Sequence, residues 1–204
     1  MSNQIQTEIH VDLDNRDKKT ALFRIFLVVP AAIFLSSFSE FSGDFMGVIG
    51  GVLVLPVVLS LFFRNVYPSY VLAFNKSLLE LSNRINAYAL VLTDDYPSIE
   101  ANPKVRLIYP EVDGGKKLSP WMPLVKWFLA IPLFILGIIY AIYALALTFI
   151  AWISVIKNGV YPENKAEEVV KVIAYWNRLY GYAVLLITDE YPSFSLTNAA
   201  KPYF

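Results

Sequence analysis

Three long runs without a charged residue constrain this chain more than any other feature of its sequence. They are Ile25–Ser39, Phe45–Phe63 and Trp127–Ile156, of 15, 19 and 30 residues. All 17 basic and 17 acidic residues lie in the rest of the chain, at a density that is ordinary for soluble domains. The sequence therefore combines a membrane-type part with a soluble-type part. This combination excludes a plain soluble globule and a disordered chain, and the absence of cysteine excludes a disulfide scaffold.

The apolar runs predict membrane-spanning hairpins. A membrane helix needs about 20 mainly apolar residues, so residues 21–63 hold two spans, separated by the polar break Ser36–Asp44. Residues 121–156 are too long for one span, and we expect a second hairpin with a tight turn near Gly137. A single tilted span with an interfacial lead-in is the alternative for this segment. Arg24, the one charge in the first span, is expected to reach the membrane interface with its long side chain.

The two halves of the chain resemble each other, which predicts a tandem repeat over residues 1–100 and 101–204. Four blocks match in the same order along the two halves. The matched blocks are Arg24–Pro30 with Lys126–Pro132, Arg64–Pro68 with Lys157–Pro162, Asn83–Ala89 with Asn177–Ala183, and Thr93–Ser98 with Thr188–Ser193. Corresponding polar segments should lie on the same side of a membrane, which requires an even number of spans in each half. The repeat therefore favours four transmembrane helices, two in each half.

The polar segments predict a small sheet and two amphipathic helices. Alternation of apolar and polar residues indicates strands at Ile5–Leu13 and Val105–Tyr109. Apolar residues spaced by three and four indicate an amphipathic helix after each hairpin, in the membrane interface or against the sheet. The aromatic and aliphatic runs Ala87–Leu92 and Tyr182–Ile187 are expected to be two further strands.

These elements together predict an integral membrane α+β fold. Each repeat is expected to contain a strand, a transmembrane hairpin, an interfacial amphipathic helix and a second strand. Four strands, two from each repeat, should form one small antiparallel sheet on the cytoplasmic side of the membrane.

The distribution of charge predicts the orientation. The break Ser36–Asp44 contains Glu40 and Asp44 but no Lys or Arg, so all 17 basic residues lie on the other side of the predicted hairpins. The positive-inside rule then places both termini in the cytoplasm. The first 20 residues are polar and of mixed charge, unlike a signal peptide, so we expect the first apolar segment to remain as an anchor of a multi-pass protein.

Motifs in the second half resemble an uncharacterised bacterial membrane family. The motifs are Trp127–Pro132, Ala151–Trp152, Gly159–Pro162, Trp176–Arg178 and Tyr182–Phe194. Over residues 105–196 the chain is similar to the family catalogued as domain of unknown function 4389, and residues 9–100 resemble a weaker second copy. The first copy departs from the pattern where Ser82 replaces Trp176 and where Gly159 has no counterpart. The resemblance implies a bacterial membrane protein, which we place in the inner membrane, and it implies no activity.

The side chains present argue against an enzyme, and we expect no cofactor and no metal. Without cysteine there is no thiol nucleophile, and the single histidine, His10, falls on the polar face of a predicted strand. The acidic pairs Asp94–Asp95 and Asp189–Glu190 remain candidates, because adjacent carboxylates can bind a cation or share a proton. Each pair lies in a Thr-Asp-acid-Tyr-Pro-Ser string, which is more typical of a turn, and a partner contact is a third possibility.

Two matched arginines are candidates for binding lipid headgroups. Arg84 and Arg178 each follow an asparagine near the end of an amphipathic helix, and guanidinium groups near a bilayer suit phosphate. The alternative is a salt bridge or a helix C-terminal cap. Arg64 and Lys157, directly after the predicted hairpins, are further headgroup candidates or ordinary positive-inside anchors.

The sequence favours binding over transport or catalysis. Gly43, Gly47 and Gly51 share one helix face, a ridge that suits packing within the hairpin or contact with a second copy. The predicted span interiors lack ionisable residues, which argues against ion-coupled transport, and zero net charge argues against nucleic acid as a partner. The leading hypothesis is a non-enzymatic accessory or scaffolding subunit of a bacterial inner-membrane complex, with membrane lipids and a protein partner or second copy. The alternative is a phospholipid-binding or lipid-handling protein.

Overall fold

The structure, a computed structural model, describes residues 3–38, 54–100, 102–196 and 200–203, and these residues are mostly helical. The helices are α1 (Lys18–Leu27), α2 (Val29–Ser36), α3 (Val54–Arg64), α4 (Ser69–Ala89), α5 (Met122–Asn158) and α6 (Glu163–Ala183), with a 3₁₀ turn at Asp113–Gly115. The strands are β1 (Gln6–His10), β2 (Val105–Ile108) and β3 (Ala200–Tyr203).

The strand β1 lies at the centre of a small mixed sheet of order β2-β1-β3. It pairs antiparallel with β2, where Thr7 faces Leu107, and parallel with β3, where Thr7 faces Ala200. Thr7 and Ile9 are buried while Glu8 is partly exposed, so burial alternates along β1 as expected for a strand with one covered face. Both β1 and β2 lie within the two segments whose alternation predicted strands.

The two amphipathic helices α4 and α6 form a layer on the covered face of the sheet. Asn177 of α6 donates a hydrogen bond to the hydroxyl of Thr7 on β1 (2.9 Å), and Tyr109 after β2 donates to the carbonyl of Lys76 on α4 (3.0 Å). On its other side α6 contacts α5, since the Tyr175 hydroxyl donates to the carbonyl of Leu133 (2.8 Å). The sequence left two positions open for these helices, in the membrane interface or against the sheet, and the structure places them against the sheet.

The second apolar segment is one continuous helix, so the prediction of a hairpin over residues 121–156 is wrong. The helix α5 runs for 37 residues and includes both Pro132 and Gly137, the expected turn. A Cβ atom at Gly137 would lie 2.9 Å from the ring of Trp176 on α6. Gly137 therefore allows two helices to approach closely, which accounts for a glycine here without a turn.

Only two segments of the described residues are long and apolar enough to cross a membrane, by length and composition: Lys18–Ser36 and Met122–Asn158. The helix α3 is apolar but shorter. The predicted fold of four transmembrane helices in two repeats is therefore wrong. The predicted ridge of Gly43, Gly47 and Gly51 lies outside the described residues.

The runs Ala87–Leu92 and Tyr182–Ile187 are not strands, so the predicted four-stranded antiparallel sheet is also wrong. The helices α4 and α6 extend into these runs, and each is followed by a turn with a residue in the left-handed conformation, Val91 (φ 65°) and Leu186 (φ 57°). Most side chains in both runs are buried. The apolar composition of these runs, from which strands were predicted, therefore results from burial in the core.

The linkers that lead into α4 and α6 have the same conformation. Asn65 (φ 50°) and Gly159 (φ 71°) both adopt left-handed backbone two residues before a buried tyrosine. Ser60 and Ser154 each donate a hydrogen bond to the carbonyl six residues later, at 2.8 and 2.9 Å. Asn65 is thus the counterpart of Gly159 that the sequence comparison missed, since asparagine also tolerates left-handed backbone.

Candidate functional site

The first apolar helix is fastened to the rest of the molecule by a buried arginine. Arg24 of α1 is 2% exposed and forms an ion pair with the carboxylate of Asp94. Its guanidinium also donates to the carbonyls of Tyr88 and Thr93, and lies 4.5 Å from the centroid of the Tyr88 ring. The Arg24 side chain is buried inside the fold, where the carboxylate and the carbonyls supply its acceptors.

Asp94 is shared between two arginines. Arg16 donates from Nε and Nη2 to the two carboxylate oxygens at 3.0 and 2.8 Å, and the N–H of Asp17 donates to one of them at 2.8 Å. Burial by itself would raise the pKa of Asp94, but hydrogen bonds from Arg16 and Asp17 and the charges of Arg16 and Arg24 outweigh it and hold the pKa below its ordinary value. Asp94 is therefore an ionised, structural carboxylate at neutral pH.

Lys126 occupies the matched position in the second half and makes the matched contacts. It is fully buried in α5, with Nζ 2.7 Å from Asp189 Oδ1 and donating to the carbonyl of Thr188 at 2.7 Å. Its Nζ also lies 5.3 Å from the centroid of the Tyr182 ring. In each half a cation of an apolar helix thus binds a turn acid, a turn carbonyl and a tyrosine ring. We call the ion pairs Arg24–Asp94 and Lys126–Asp189 the helix clamps.

The Thr-Asp-acid strings adopt turns in which the threonine hydroxyl is an acceptor. The N–H of Asp95 donates to Thr93 Oγ1 at 3.2 Å, and the N–H of Glu190 donates to Thr188 Oγ1 at 3.1 Å. These hydroxyl-to-backbone bonds are typical of threonine in turns. The aspartate between these two residues in each string is the one that forms the helix clamp.

The second acid of each string also binds a structural partner. Asp95 forms an ion pair with Lys104 at 2.8 Å, and Lys104 also contacts Asp12 at 3.2 Å. The hydrogen bond that Lys104 donates to Asp95 is the main reason that the pKa of Lys104 is raised. Glu190 accepts a hydrogen bond from the N–H of Asn3 at 2.7 Å. All four acids of the two predicted pairs therefore hold neighbouring segments together.

Two buried asparagines link the middle helices. Asn83 Nδ2 donates to Asn177 Oδ1 at 2.9 Å, and Asn177 Nδ2 donates back to Asn83 Oδ1 at 2.7 Å. The residues are 1% and 4% exposed. The two matched positions of the repeat thus contact each other directly, which places them where the two halves meet.

The matched arginines Arg84 and Arg178 lie inside the molecule. They are 5% and 2% exposed, and each donates from Nη2 to one backbone carbonyl, of Ile99 at 3.1 Å and of Ser195 at 2.9 Å. The Nε atoms of both arginines are buried and have no hydrogen-bond partner. Burial, which disfavours the charged form, lowers the pKa of both guanidinium groups. Both side chains thus tie the segment after a Thr-Asp turn to a helix.

The other two headgroup candidates are exposed at the ends of apolar helices. Arg64 ends α3, and Lys157 lies in the last turn of α5, where its carbonyl accepts a hydrogen bond from Lys18 Nζ at 2.7 Å. Both side chains are therefore placed to reach a charged surface, unlike Arg84 and Arg178.

A pocket of about 330 Å³ lies between α1 and α5. Its walls are apolar apart from Arg24 of the helix clamp and Thr148 of α5. The remaining lining residues are Ile25, Val28, Ala89, Val91, Leu145, Phe149 and Trp152.

The described residues offer no group of three or more His, Asp or Glu side chains that could hold a metal ion. Comparison of the chain with protein-family models, curated proteins and solved structures found no match. The family resemblance therefore rests on the sequence motifs alone and stays a prediction.

Sequence reasoning missed the helix clamps and the asparagine pair. Arg24 and Lys126 were visible as the lone charges at matched positions of two apolar segments, and each was followed by an Asp at a matched turn. The equal placement of a lone cation and a later aspartate in both halves was the signal that could have predicted the helix clamps. No such signal predicted the contact of Arg16 with Asp94. The position that corresponds to Arg16 in the second half lies in the irregular segment before α5, which belongs to none of the matched blocks.

Proposed function

We propose that this chain is a non-enzymatic accessory or scaffolding subunit of a bacterial inner-membrane complex. The observation that carries the proposal is the use of the turn acids. Asp94 and Asp189, the best candidates for chemistry in the sequence, bind buried cations of the apolar helices α1 and α5. These ion pairs fasten the two helices to the sheet, α4, α6 and the turns that follow them, which together we call the polar layer. Carboxylates held in this way support a binding role, because neither is left to act on a substrate.

The two sides of the molecule suit two different surroundings. The outer sides of α1, α2 and α5 expose many large apolar side chains, which favours contact with lipid. The uncovered face of the sheet instead carries Glu8, His10, Arg106 and Ile108. We propose that this sheet face binds the protein partner on the cytoplasmic side, with both termini on that side as the positive-inside rule expects.

Cross-linking in native membranes tests the scaffolding role. The chain is solubilised with mild detergent and analysed by mass spectrometry, and we expect a stoichiometric partner that cross-links near β2. The double variant Arg106→Glu, Ile108→Asp should lose the partner. The control variant Lys116→Glu, at an exposed site outside the sheet, should keep it. A chain that purifies without any stoichiometric partner would refute the proposal.

Lipid binding is the second candidate, and the pocket between α1 and α5 favours it. An apolar pocket that places a guanidinium at one wall suits an acyl chain with an anionic head. We expect Val28→Trp to fill the pocket and to lower the amount of phospholipid that co-purifies. The variant Ala146→Trp, at an exposed site on α5 outside the pocket, is the control. Equal lipid content in both variants would count against this candidate.

A further inference from the structure

The helix α5 has one narrow buried stripe along nearly its whole length. The buried positions from the helix clamp onward recur every three or four residues, apart from one longer step: Lys126, Ala130, Leu133, Gly137, Ala144, Thr148, Ala151 and Val155. Much of the rest of the helix surface is exposed and apolar, as at Phe128, Ile139 and Ile142, which are 73%, 57% and 63% exposed. A soluble protein rarely leaves so large an apolar surface open to water.

Both ends of α5 are fastened to the same polar layer. At its start, Asp189 accepts hydrogen bonds from the N–H of Ser119 (2.6 Å) and pairs with Lys126. At its end, the carbonyl of Gly159 accepts from the N–H of Arg16 (3.1 Å). The residues that hold the two ends are polar, so both ends lie at the polar side of the molecule.

The helix α6 runs beside α5 between these two ends. It contacts α5 through Tyr175 and Trp176 and contacts β1 through Asn177. It also carries charged side chains, among them the partly exposed Glu168 and Lys171. If α5 crossed a bilayer, α6 and the sheet would have to cross with it, at a high cost for their charges.

The length of α5 also argues against a helix that crosses the bilayer. Its 37 residues extend about 55 Å at roughly 1.5 Å per residue, whereas the hydrocarbon core is about 30 Å thick. An upright helix would place at least one polar end well beyond the bilayer. A helix that lies flat has no such mismatch.

We propose that α5 lies in the plane of the membrane, embedded in one leaflet with both ends on the same side, and does not cross the bilayer. The acyl chains of lipids cover its exposed apolar side, and α6 and the sheet lie beneath it in the headgroup region and the cytoplasm. Exposed basic residues at the edge of the apolar layer, Lys18, Lys19, Arg64 and Lys157, then face the anionic lipid surface. This inference rests on the membrane location in the proposed function but not on any partner.

Cysteine labelling in sealed vesicles tests the proposal directly, because the chain contains no cysteine of its own. Single variants Lys116→Cys and Asn158→Cys place a thiol at an exposed site near each end of α5. A membrane-impermeant maleimide is added to vesicles of one orientation, before and after permeabilisation. We expect both sites to react from the same side. Reaction from opposite sides would overturn the proposal, whether or not a partner is found.

A second measurement distinguishes lipid from a second copy of the chain as the cover of α5. A fluorophore on Ile142→Cys should be quenched by brominated phospholipids in the bilayer and not by aqueous iodide. The same fluorophore on Asn164→Cys, at the exposed start of α6, should show the reverse. If the probe at residue 142 is quenched by neither agent, another protein surface covers α5 and the proposal is wrong.

Discussion

Asn83 and Asn177 donate to each other's side-chain oxygens in the buried contact between α4 and α6, at 2.9 and 2.7 Å. Their remaining donors are used as well, by the carbonyl of Leu79 and by the hydroxyl of Thr7. A reciprocal pair of this kind satisfies four polar groups inside the core at once. It also ties the register of the two helices to that of β1.

Loss of both asparagines should therefore cost less than the sum of the two single losses. Asn83→Ala leaves the buried amide of Asn177 short of partners, and we expect a loss of about 1–3 kcal/mol in unfolding free energy. The double variant Asn83→Ala, Asn177→Ala should lose less stability than the sum of the two single alanine variants, as measured by thermal unfolding in nanodiscs. Asn86→Ala, at an exposed site on α4, is the control. Simple additivity would show that the two amides are not coupled.

The Lys126–Asp189 clamp should respond unequally to removal of its two partners. Asp189→Asn leaves a fully buried ammonium without its carboxylate, and we expect a loss of about 3–5 kcal/mol. Lys126→Met leaves Asp189, whose side chain is 25% exposed and keeps the hydrogen bond from the N–H of Ser119, so its loss should be smaller. Unfolding of both variants in the same nanodisc measures the difference. Equal losses would mean that burial of Lys126 does not govern the pair.

The Arg24–Asp94 clamp should make the fold sensitive to acid. The pKa of Asp94 is lower in the folded chain than its unfolded value of about 3.9. Its contribution to stability is therefore fully present above that value and disappears as the pH falls through the lower folded pKa. We expect the melting temperature of the wild-type chain to fall steeply below about pH 4. The variant Asp94→Asn should have a lower melting temperature at neutral pH, and that temperature should fall less as the pH is lowered. If the melting temperature of the variant depends on acid pH as steeply as that of the wild type, Asp94 is not the group that makes the fold sensitive to acid.

Gly137 should not tolerate a side chain. A methyl group in Gly137→Ala would lie 2.9 Å from Cζ2 of Trp176, and we expect a loss of about 1–3 kcal/mol from overpacking. Trp176→Phe should restore part of the loss, because the smaller ring withdraws from the contact. Ala146→Leu, at an exposed position of α5, is the control. A Gly137→Ala variant as stable as the wild type would show that Trp176 does not pack tightly on Gly137.

Local patterns predicted the elements that have a one-sided environment. The strands β1 and β2 alternate because one face of the sheet is covered. The helices α4 and α6 are amphipathic because each also has residues that stay at least partly exposed, although α6 is buried against both the sheet and α5. The same reasoning failed at Ala87–Leu92 and Tyr182–Ile187. These runs are buried among several elements, so their composition reports burial and not secondary structure. The third strand, β3, follows no alternating pattern and depends on its pairing with β1.

The sequence by itself determined that this chain has an apolar part and a polar part, and it predicted that the two halves correspond. It also determined the turns at the two Thr-Asp strings, since threonine, aspartate and proline act there through local hydrogen bonds and a restricted backbone. Only the tertiary structure decided that Arg24 and Lys126 turn inward and that α5 is one helix beside α6. Those outcomes depend on contacts between residues about 60–70 positions apart, Arg24 with Asp94 and Lys126 with Asp189, and a pattern within a single segment does not contain them.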